Sequence, residues 1–459
     1  MEERNEKLHA VMVPWLAMGH LLPCFELSKR LAMKGLQISI FTTPGNIRRL
    51  PPVPPRLTPL LNFVPCPLPT IQNLPSHIEN TTDLRSEAER PLLVRAYTQL
   101  EHGLAAFLAD HLRPKPDWII FDAISSSWVP PLAARFGLSC AMFSIFSAAV
   151  LAFLGLSPAY DSPEELTLVP DYIPFPTSVA LRLFEARQAI SVFPKKSTPS
   201  SCRPEYFPQC DMFLVRTCRE FEDKWLDLIA EIHANRHPVI PVGVLPPFVE
   251  DYEISEAWVR ISEWLDEREE RSVVYAAFGT EANLTREQVG EVADGLERSG
   301  LPFLWTLRGC SPPQGFEERN AGRGLVFESW VPQALILAHP AVGGFLNQAG
   351  WSSVVEGLSF GVNMAVLPMV FDQGVNARNF VESGVAVEVP RNAEDGNFSG
   401  EEIARTLKMV MKEEEGEEVR ARVRAVKSFF GSEKIQAEYM DEVVKNLWNK
   451  RKTRMDKQI

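Results

Sequence analysis

The sequence predicts an α/β protein built as two similar halves, each a parallel sheet with crossover helices, facing each other across a cleft. Apolar runs of four to eight residues alternate with helix-like periodicities, the pattern of parallel strands joined by helices. The alternation starts twice, once near His9 and again near Arg271. With 459 residues the chain is too long for one ordinary core and suits two domains of about 200 residues.

The first series opens with HAVMVPW as a buried strand, AMGHLLP as its outgoing loop, and CFELSKRLAMKG as an amphipathic helix closed by Gly35. QISIFTT supplies the second strand, and PDWIIFDA is a later strand ending on a carboxylate. The apolar stretch from Cys140 to Leu156 falls short of the roughly 20 residues that span a bilayer and is predicted as a buried strand followed by a helix. HPVIPVGVLPP, rich in proline and without helical period, predicts a stiff connection.

In the second series RSVVYAAFGT is a strand with a polar exit and LTREQVGEVADGLERSG a helix with a glycine stop. LPFLWTLR, GLVFESW, AVGGFLN and NMAVLPM follow as strands. KEEEGEEVRARVRAVK places acids before bases, as a helix dipole favours. The expected organisation is a first domain over 1–240, a linker over 241–252, a second domain over 253–435, and a C-terminal helix and tail over 436–459 packing back on the first domain.

Composition narrows the function classes. Fifty-nine acidic residues against 47 Lys and Arg give a net charge of −12, which argues against nucleic acid as a partner. The basic run from Asn449 onward suits a solvated tail. Seven cysteines form no CxxC pair, so a reducing compartment and unpaired thiols are expected, those at 202, 210 and 218 included. The N-terminal residues carry no secretory pattern, and a cytoplasmic protein with no membrane span is expected.

In open parallel sheets ligands bind beyond the carboxyl ends of the strands, which singles out His20, Asp122, Thr280, Gln348 and Asp372. An imidazole at His20 could act as a base, and a carboxylate at Asp122 could hold the ring and stabilise the imidazolium. A histidine bonded to its own loop and an aspartate capping a helix would fit the same spacing.

QAGWSSVVEGL fits a helix whose start offers backbone N–H groups, the hydroxyls of Ser352 and Ser353, and close approach at Gly350: an anion site, most naturally for phosphate. Plain capping is the alternative. Thr280 could add a hydroxyl to that anion or cap a helix. Asp372 and Gln373 suit the vicinal hydroxyls of a sugar, or a cap and a surface amide. Trp330 could stack on a planar base or sit in the core. No GxGxxG follows the first strand, which disfavours a dinucleotide oxidoreductase.

The run WVPQALILAHPAVGGFLNQAGWSSVVEGLSFGVNMAVLPMVFDQ, Trp330 to Gln373, resembles without a gap the donor-binding box of plant UDP-dependent glycosyltransferases, and HAVMVPWLAMGHLLP, PDWIIFDA and AAFGT extend the likeness over most of the chain. The resemblance implies a GT-B fold, two Rossmann-like domains facing across a cleft, with acceptor contacts from the first half and the nucleotide sugar held by the second. It implies that Trp330 stacks on uracil, that Val331 and Gln333 contact the nucleoside, and that Glu356 holds the ribose hydroxyls. Gly350, Ser352, Ser353 and Thr280 would surround the diphosphate, and Trp351, Asp372 and Gln373 would contact the sugar.

His20 and Asp122 match the family's base and supporting acid. The implied reaction is attack of an acceptor hydroxyl on the anomeric carbon with inversion, giving a β-glucoside from UDP-glucose. UDP-sugar is then a co-substrate, with no cofactor and no metal. First-half loops around Phe143, Phe146 and residues 158–200 would contact the acceptor, and a monomer is expected. PWLAMGHLLP, PDWIIFDA and VPVGVLPP resemble the branch that adds a sugar to flavonoid or terpenoid glycosides, some of whose members use UDP-rhamnose.

One departure stands out. The family usually reads Thr-His-Cys-Gly-Trp where this chain has Asn347, Gln348, Ala349, Gly350 and Trp351, so glutamine replaces the histidine that contacts the diphosphate. Losing a cationic donor would remove roughly 1 to 2 kcal/mol, about tenfold in rate or affinity. Weakened donor use is expected rather than abolished activity, and a non-catalytic UDP-sugar or glycoside binder is the competing expectation.

Overall fold

A computed structural model describes residues 7–110, 115–155, 162–192, 210–232, 237–282 and 284–456. Cys202 and parts of the 158–200 region lie outside the described residues. The chain divides into two compact units. One comprises Met1–Leu156, Pro199–Leu245 and Glu433–Ile459, the other Ser157–Thr198 and Pro246–Ser432.

The first unit is a seven-stranded parallel sheet of β1 His9–Val13, β2 Gln37–Thr42, β3 Leu61–Pro65, β4 Trp118–Asp122, β5 Ser139–Ser144, β6 Met212–Val215 and β7 Val239–Pro241. The strand order is β3-β2-β1-β4-β5-β6-β7. β1, β4 and β5 are buried along their whole length, as strands covered on both faces must be, which is why they stand in the sequence as unbroken apolar runs. The order reverses between β1 and β4, the place where an open parallel sheet leaves a crevice at its carboxyl edge.

The second unit repeats the plan with β8 Val273–Ala277, β9 Phe303–Thr306, β10 Gly324–Phe327, β11 Val342–Asn347, β12 Asn363–Val366 and β13 Ala386–Glu388. Its order is β10-β9-β8-β11-β12-β13, and its reversal falls between β8 and β11. Each unit is thus a doubly wound, Rossmann-like α/β domain with its own core.

Four differences from the sequence reading have physical causes. His20 is not in a loop: it is the third residue of the helix Met18–Met33, which starts as soon as the His20 and Leu21 N–H groups bond the Ala17 carbonyl. Pro23 cannot donate a backbone hydrogen bond, but it lies within the helix, which continues past it. The proline-rich connection contributes β7 at its start. Val242, Val244 and Leu245 beyond it are buried, because the Val244 and Leu245 N–H groups donate to Gln436 Oε1.

The third difference is the segment 162–192, expected within the first domain. It packs with the second unit, tied through Glu185 to Arg378 and through Thr177 and Ser178 to Glu382. The fourth is that β3, β6 and β13 are short strands that periodicity did not reveal.

The helix Glu433–Asp456 packs on the first unit. Met440, Val443 and Leu447 enter that core, and Arg30 pairs with Glu433, Lys34 with Asp441 and Arg451 with Asp117. Among the described residues no helix is long and apolar enough to cross a membrane.

Candidate functional site

The chemistry-bearing residues fall into two groups, one at each sheet reversal. In the first unit β1 leads through Pro14–Ala17 to the helix carrying His20, and β4 ends on Asp122. Neighbouring parallel strands of matched register bring the two exits together, with Val13 opposite Phe121. His20 Nδ1 lies 2.5 Å from Asp122 Oδ2. Asp122 Oδ1 accepts from the Ile124 N–H at 3.0 Å, so the carboxylate is oriented by its own turn while it holds the ring. A carboxylate on Nδ1 fixes the tautomer that leaves Nε2 able to accept a proton.

Phe146 meets the His20 ring edge-on at 5.9 Å. Phe143, expected beside it as an acceptor contact, is only 3% exposed and belongs to the first unit's apolar core. This corrects the expectation: Phe143 lies within β5, where every residue is buried, whereas Phe146 lies beyond the strand end.

Sequence reasoning missed the support under this pair. Tyr97 Oη lies 3.0 Å from the Pro14 carbonyl and 2.6 Å from Ser125 Oγ, linking the segments that follow β1 and β4. Trp15 and Trp128 pack edge-on against its ring. Burial, then the charge of Asp122, pushes the Tyr97 hydroxyl well above its ordinary range, and the same two causes in the same order raise the Cys24 thiol. Both therefore stay neutral.

In the second unit β11 ends at Asn347 and the helix Trp351–Phe360 begins after Gly350, whose lack of a side chain leaves the first turn approachable. Asn347 Oδ1 accepts from the Ala349 N–H at 2.8 Å and braces Ala349 in a left-handed conformation at φ 64°, a backbone costing a non-glycine residue about 1 to 2 kcal/mol. Gln348 is 7% exposed. Its Oε1 is buried without a hydrogen-bond partner, and its Nε2 occupies the space a side chain at Gly279 would need. Gly279 itself has φ +67°, so the turn after β8 and the glutamine fit each other.

Thr280 follows Gly279 in that turn; the cap of the next helix is Thr285, in a capping box with Gln288, which removes the capping alternative for Thr280. Gln333, first residue of the helix Gln333–Ala338, donates from Nε2 to Glu356 Oε2 at 2.9 Å and to Ser353 Oγ at 3.3 Å. Three residues expected to meet the nucleoside and diphosphate are thereby joined in one network. Ser352 stands half-buried in the same first helical turn. Trp330 is 65% exposed just past β10, which rules out the core alternative, and Val331 beside it is buried.

Asp372 and Gln373 follow β12 at the start of the helix Gln373–Glu382. Gln373 Oε1 accepts from the Met369 and Val370 N–H groups, both at 2.9 Å, which turns its amide so that Nε2 points the other way. Asp372 Oδ2 accepts from Asn376 Nδ2 at 2.7 Å.

Trp351 departs from expectation. Its ring is 3% exposed, stacked on Phe380 at 5.8 Å and edge-on to Phe430 at 6.1 Å. As the first residue of its helix it points into the second unit's interior, so its side chain packs the helix start and is not presented to a sugar.

A half-buried charge cluster gathers around Arg378 of the helix Gln373–Glu382. Arg378 pairs with Glu185 and Glu388, Arg182 with Glu388, and Arg391 donates to the Pro368 and Gly396 carbonyls. Burial pushes the Glu388 carboxyl up and the Arg391 guanidinium down to about 10. Among the described residues no three His, Cys, Asp or Glu side chains converge as a metal site.

Comparison with known proteins places the chain among relatives of one family. Residues 255–424 match the family model described as UDP-glucuronosyl and UDP-glucosyl transferase. UDP-glycosyltransferase 91C1 of Arabidopsis thaliana is 42% identical, over 98% of each chain. Soyasaponin III rhamnosyltransferase of Glycine max is 36% identical, over 96% of each. Among solved structures, Arabidopsis thaliana UGT89C1 complexed with UDP-L-rhamnose superposes with a TM-score of 0.77 at 25% identity, covering 96% of this chain and 99% of that one.

Proposed function

The chain belongs to the UDP-glucuronosyl and UDP-glucosyl transferase family, with its GT-B fold, and from that premise we propose that it is an inverting enzyme moving glucose from UDP-glucose onto a sugar hydroxyl of a small plant-type glycoside, of flavonoid or terpenoid class. The observation that carries the reading is the 2.5 Å contact of His20 Nδ1 with Asp122 Oδ2. A binding module has no use for an oriented base.

In the proposed reaction His20 Nε2 takes the proton of the acceptor hydroxyl, whose oxygen attacks the anomeric carbon as the bond to UDP breaks. Asp122 stabilises the imidazolium that forms. The leaving diphosphate is met by the start of the helix Trp351–Phe360, by Ser352, Ser353 and Thr280, and by Gln348, without a metal. Trp330 stacks on uracil beside Val331, Gln333 and Glu356 hold the nucleoside, and Asp372 and Gln373 read the sugar hydroxyls. Phe146, beside His20, bounds the acceptor.

The first and second domains are taken to divide the work as acceptor and donor halves. The protein is proposed to act as a monomer and in the cytoplasm, the compartment being supported by the unpaired cysteines among the described residues.

The test is a panel of UDP-sugars and flavonoid and terpenoid glycosides read by mass spectrometry. A mass gain of one hexose with UDP-glucose is expected; no product from any donor would sink the reading. A relative named for rhamnose transfer keeps UDP-rhamnose as the second donor to try, recognised by a deoxyhexose gain. The alternative of another class, a non-catalytic UDP-sugar or glycoside binder, is motivated by Gln348 and predicts calorimetric binding without turnover across the same panel.

A further inference from the structure

The segment 177–185 grips the helix Gln373–Glu382 at two places. At the far end the Glu382 carboxylate accepts from the Ser178 N–H at 2.6 Å, Ser178 Oγ at 2.8 Å and Thr177 Oγ1 at 3.0 Å. At its middle, the Glu185 carboxylate, 7% exposed, pairs with Arg378 and is itself oriented by the Arg182 N–H at 2.8 Å. Arg378 also bonds Glu388 on β13 at 3.0 Å, so Glu185 and β13 hold the helix from two sides.

The fit reaches the residue after Gln373. A Cβ added at Gly374 would meet Glu185 Oε2 at 2.7 Å and Leu181 Cδ2 at 2.8 Å. Phe184, next to Glu185, lies 4.6 Å under the Arg391 guanidinium, whose N–H groups hold the Pro368 carbonyl at the head of the loop leading to Asp372. Phe371 within that loop has φ 56°, so the loop is kept in a backbone it would leave if its anchors slackened. Leu181, Phe184 and Glu185 therefore close around the start of the helix that presents Asp372 and Gln373.

We infer that Glu185 is a positioning residue for the donor sugar: through Arg378 and Gly374 it fixes where Asp372 and Gln373 stand, and so acts on the sugar end of the donor and not on the nucleotide end. The inference rests on the donor reading above. It assigns a donor-side duty to a segment whose place in the sequence suggests acceptor contacts alone.

UDP and UDP-glucose share the nucleotide and differ in the sugar, so their ratio isolates the effect. Glu185→Gln keeps shape and removes the charge that Arg378 needs. The expected result is a KM for UDP-glucose raised about five- to tenfold, while the inhibition constant of UDP stays within about twofold of wild type. Gly374→Ala, which keeps every charge and displaces the segment sterically, is expected to give the same split, and it carries the test if Glu185→Gln does not fold. An unchanged ratio of the two constants in the folded variant overturns the inference, whether both constants stay put or both rise together. A wild-type protein that binds neither UDP nor UDP-glucose would instead remove the donor reading, and the inference with it.

Discussion

The two sheet reversals carry different chemistry, and on the proposed reading they solve different problems. At the first, between β1 and β4, one histidine and one aspartate are locked at 2.5 Å over a buried tyrosine. At the second, between β8 and β11, the polar groups are mostly neutral: three glutamines, two serines and a helix start, with Glu356 and Asp372 as carboxylates. Proton transfer needs a group that changes charge near neutral pH, whereas holding a nucleotide sugar needs donors fixed in place. Gln333 and Gln373 each have one end of the amide committed to the protein. The same topology therefore carries a hydrogen-bonded histidine and aspartate in one unit and a set of fixed dipoles in the other.

The strongest way to break this division is at the base. His20→Ala is expected to lower kcat about a thousandfold or more while UDP affinity measured by calorimetry stays within about twofold. A variant that kept its turnover would show that the proton goes elsewhere. Asp122→Asn keeps the geometry but no longer stabilises the imidazolium, and should cost about a hundredfold in kcat with KM for donor little changed. A donor KM that rises as much as kcat falls would blur the line between the units.

Smaller effects belong to the donor side. Glu356→Ala removes a carboxylate bonded to Gln333, and UDP should bind about ten- to thirtyfold more weakly, corresponding to roughly 1.5 to 2 kcal/mol, with the pH profile of kcat unmoved. Gln348→His puts a titrating group among the fixed dipoles and should raise turnover about tenfold. Because the protonated imidazole is the form that attracts diphosphate, the variant's advantage in UDP affinity over wild type should grow as pH falls through the histidine range near about 6.5. An advantage independent of pH would mean that the ring acts as a neutral donor.

The smallest change expected is Tyr97→Phe, which leaves Ser125 and the Pro14 carbonyl to find other partners. About 1 to 2 kcal/mol of stability should be lost by denaturant unfolding, together with a modest fall in kcat.

Much of this arrangement was legible before the structure. Strands buried on both faces betray themselves as apolar runs, and β1, β4, β8, β11 and β12 were all readable for that reason. Residues at their exits followed, since sheet topology puts ligands there. What stayed hidden depends on side-chain direction or on distant partners. Trp351 has the same place in the chain whether its ring faces a sugar or Phe380. Glu185 has no mark in the sequence that sets it apart, because its partner Arg378 is far along the chain. β7 and β13 have only three residues each, and β3, mostly half-buried or exposed along its length, lacks the unbroken apolar run that marks a covered strand.

The helix Glu433–Asp456 follows the whole second unit in the chain but supplies Met440, Val443 and Leu447 to the core of the first. During synthesis the second unit can complete its core as it emerges, while the first must wait with an open apolar face until the second has been made. The unit that comes off the ribosome first is thus the one that finishes folding last, and it is the more exposed of the two to chaperones and proteases in the interval.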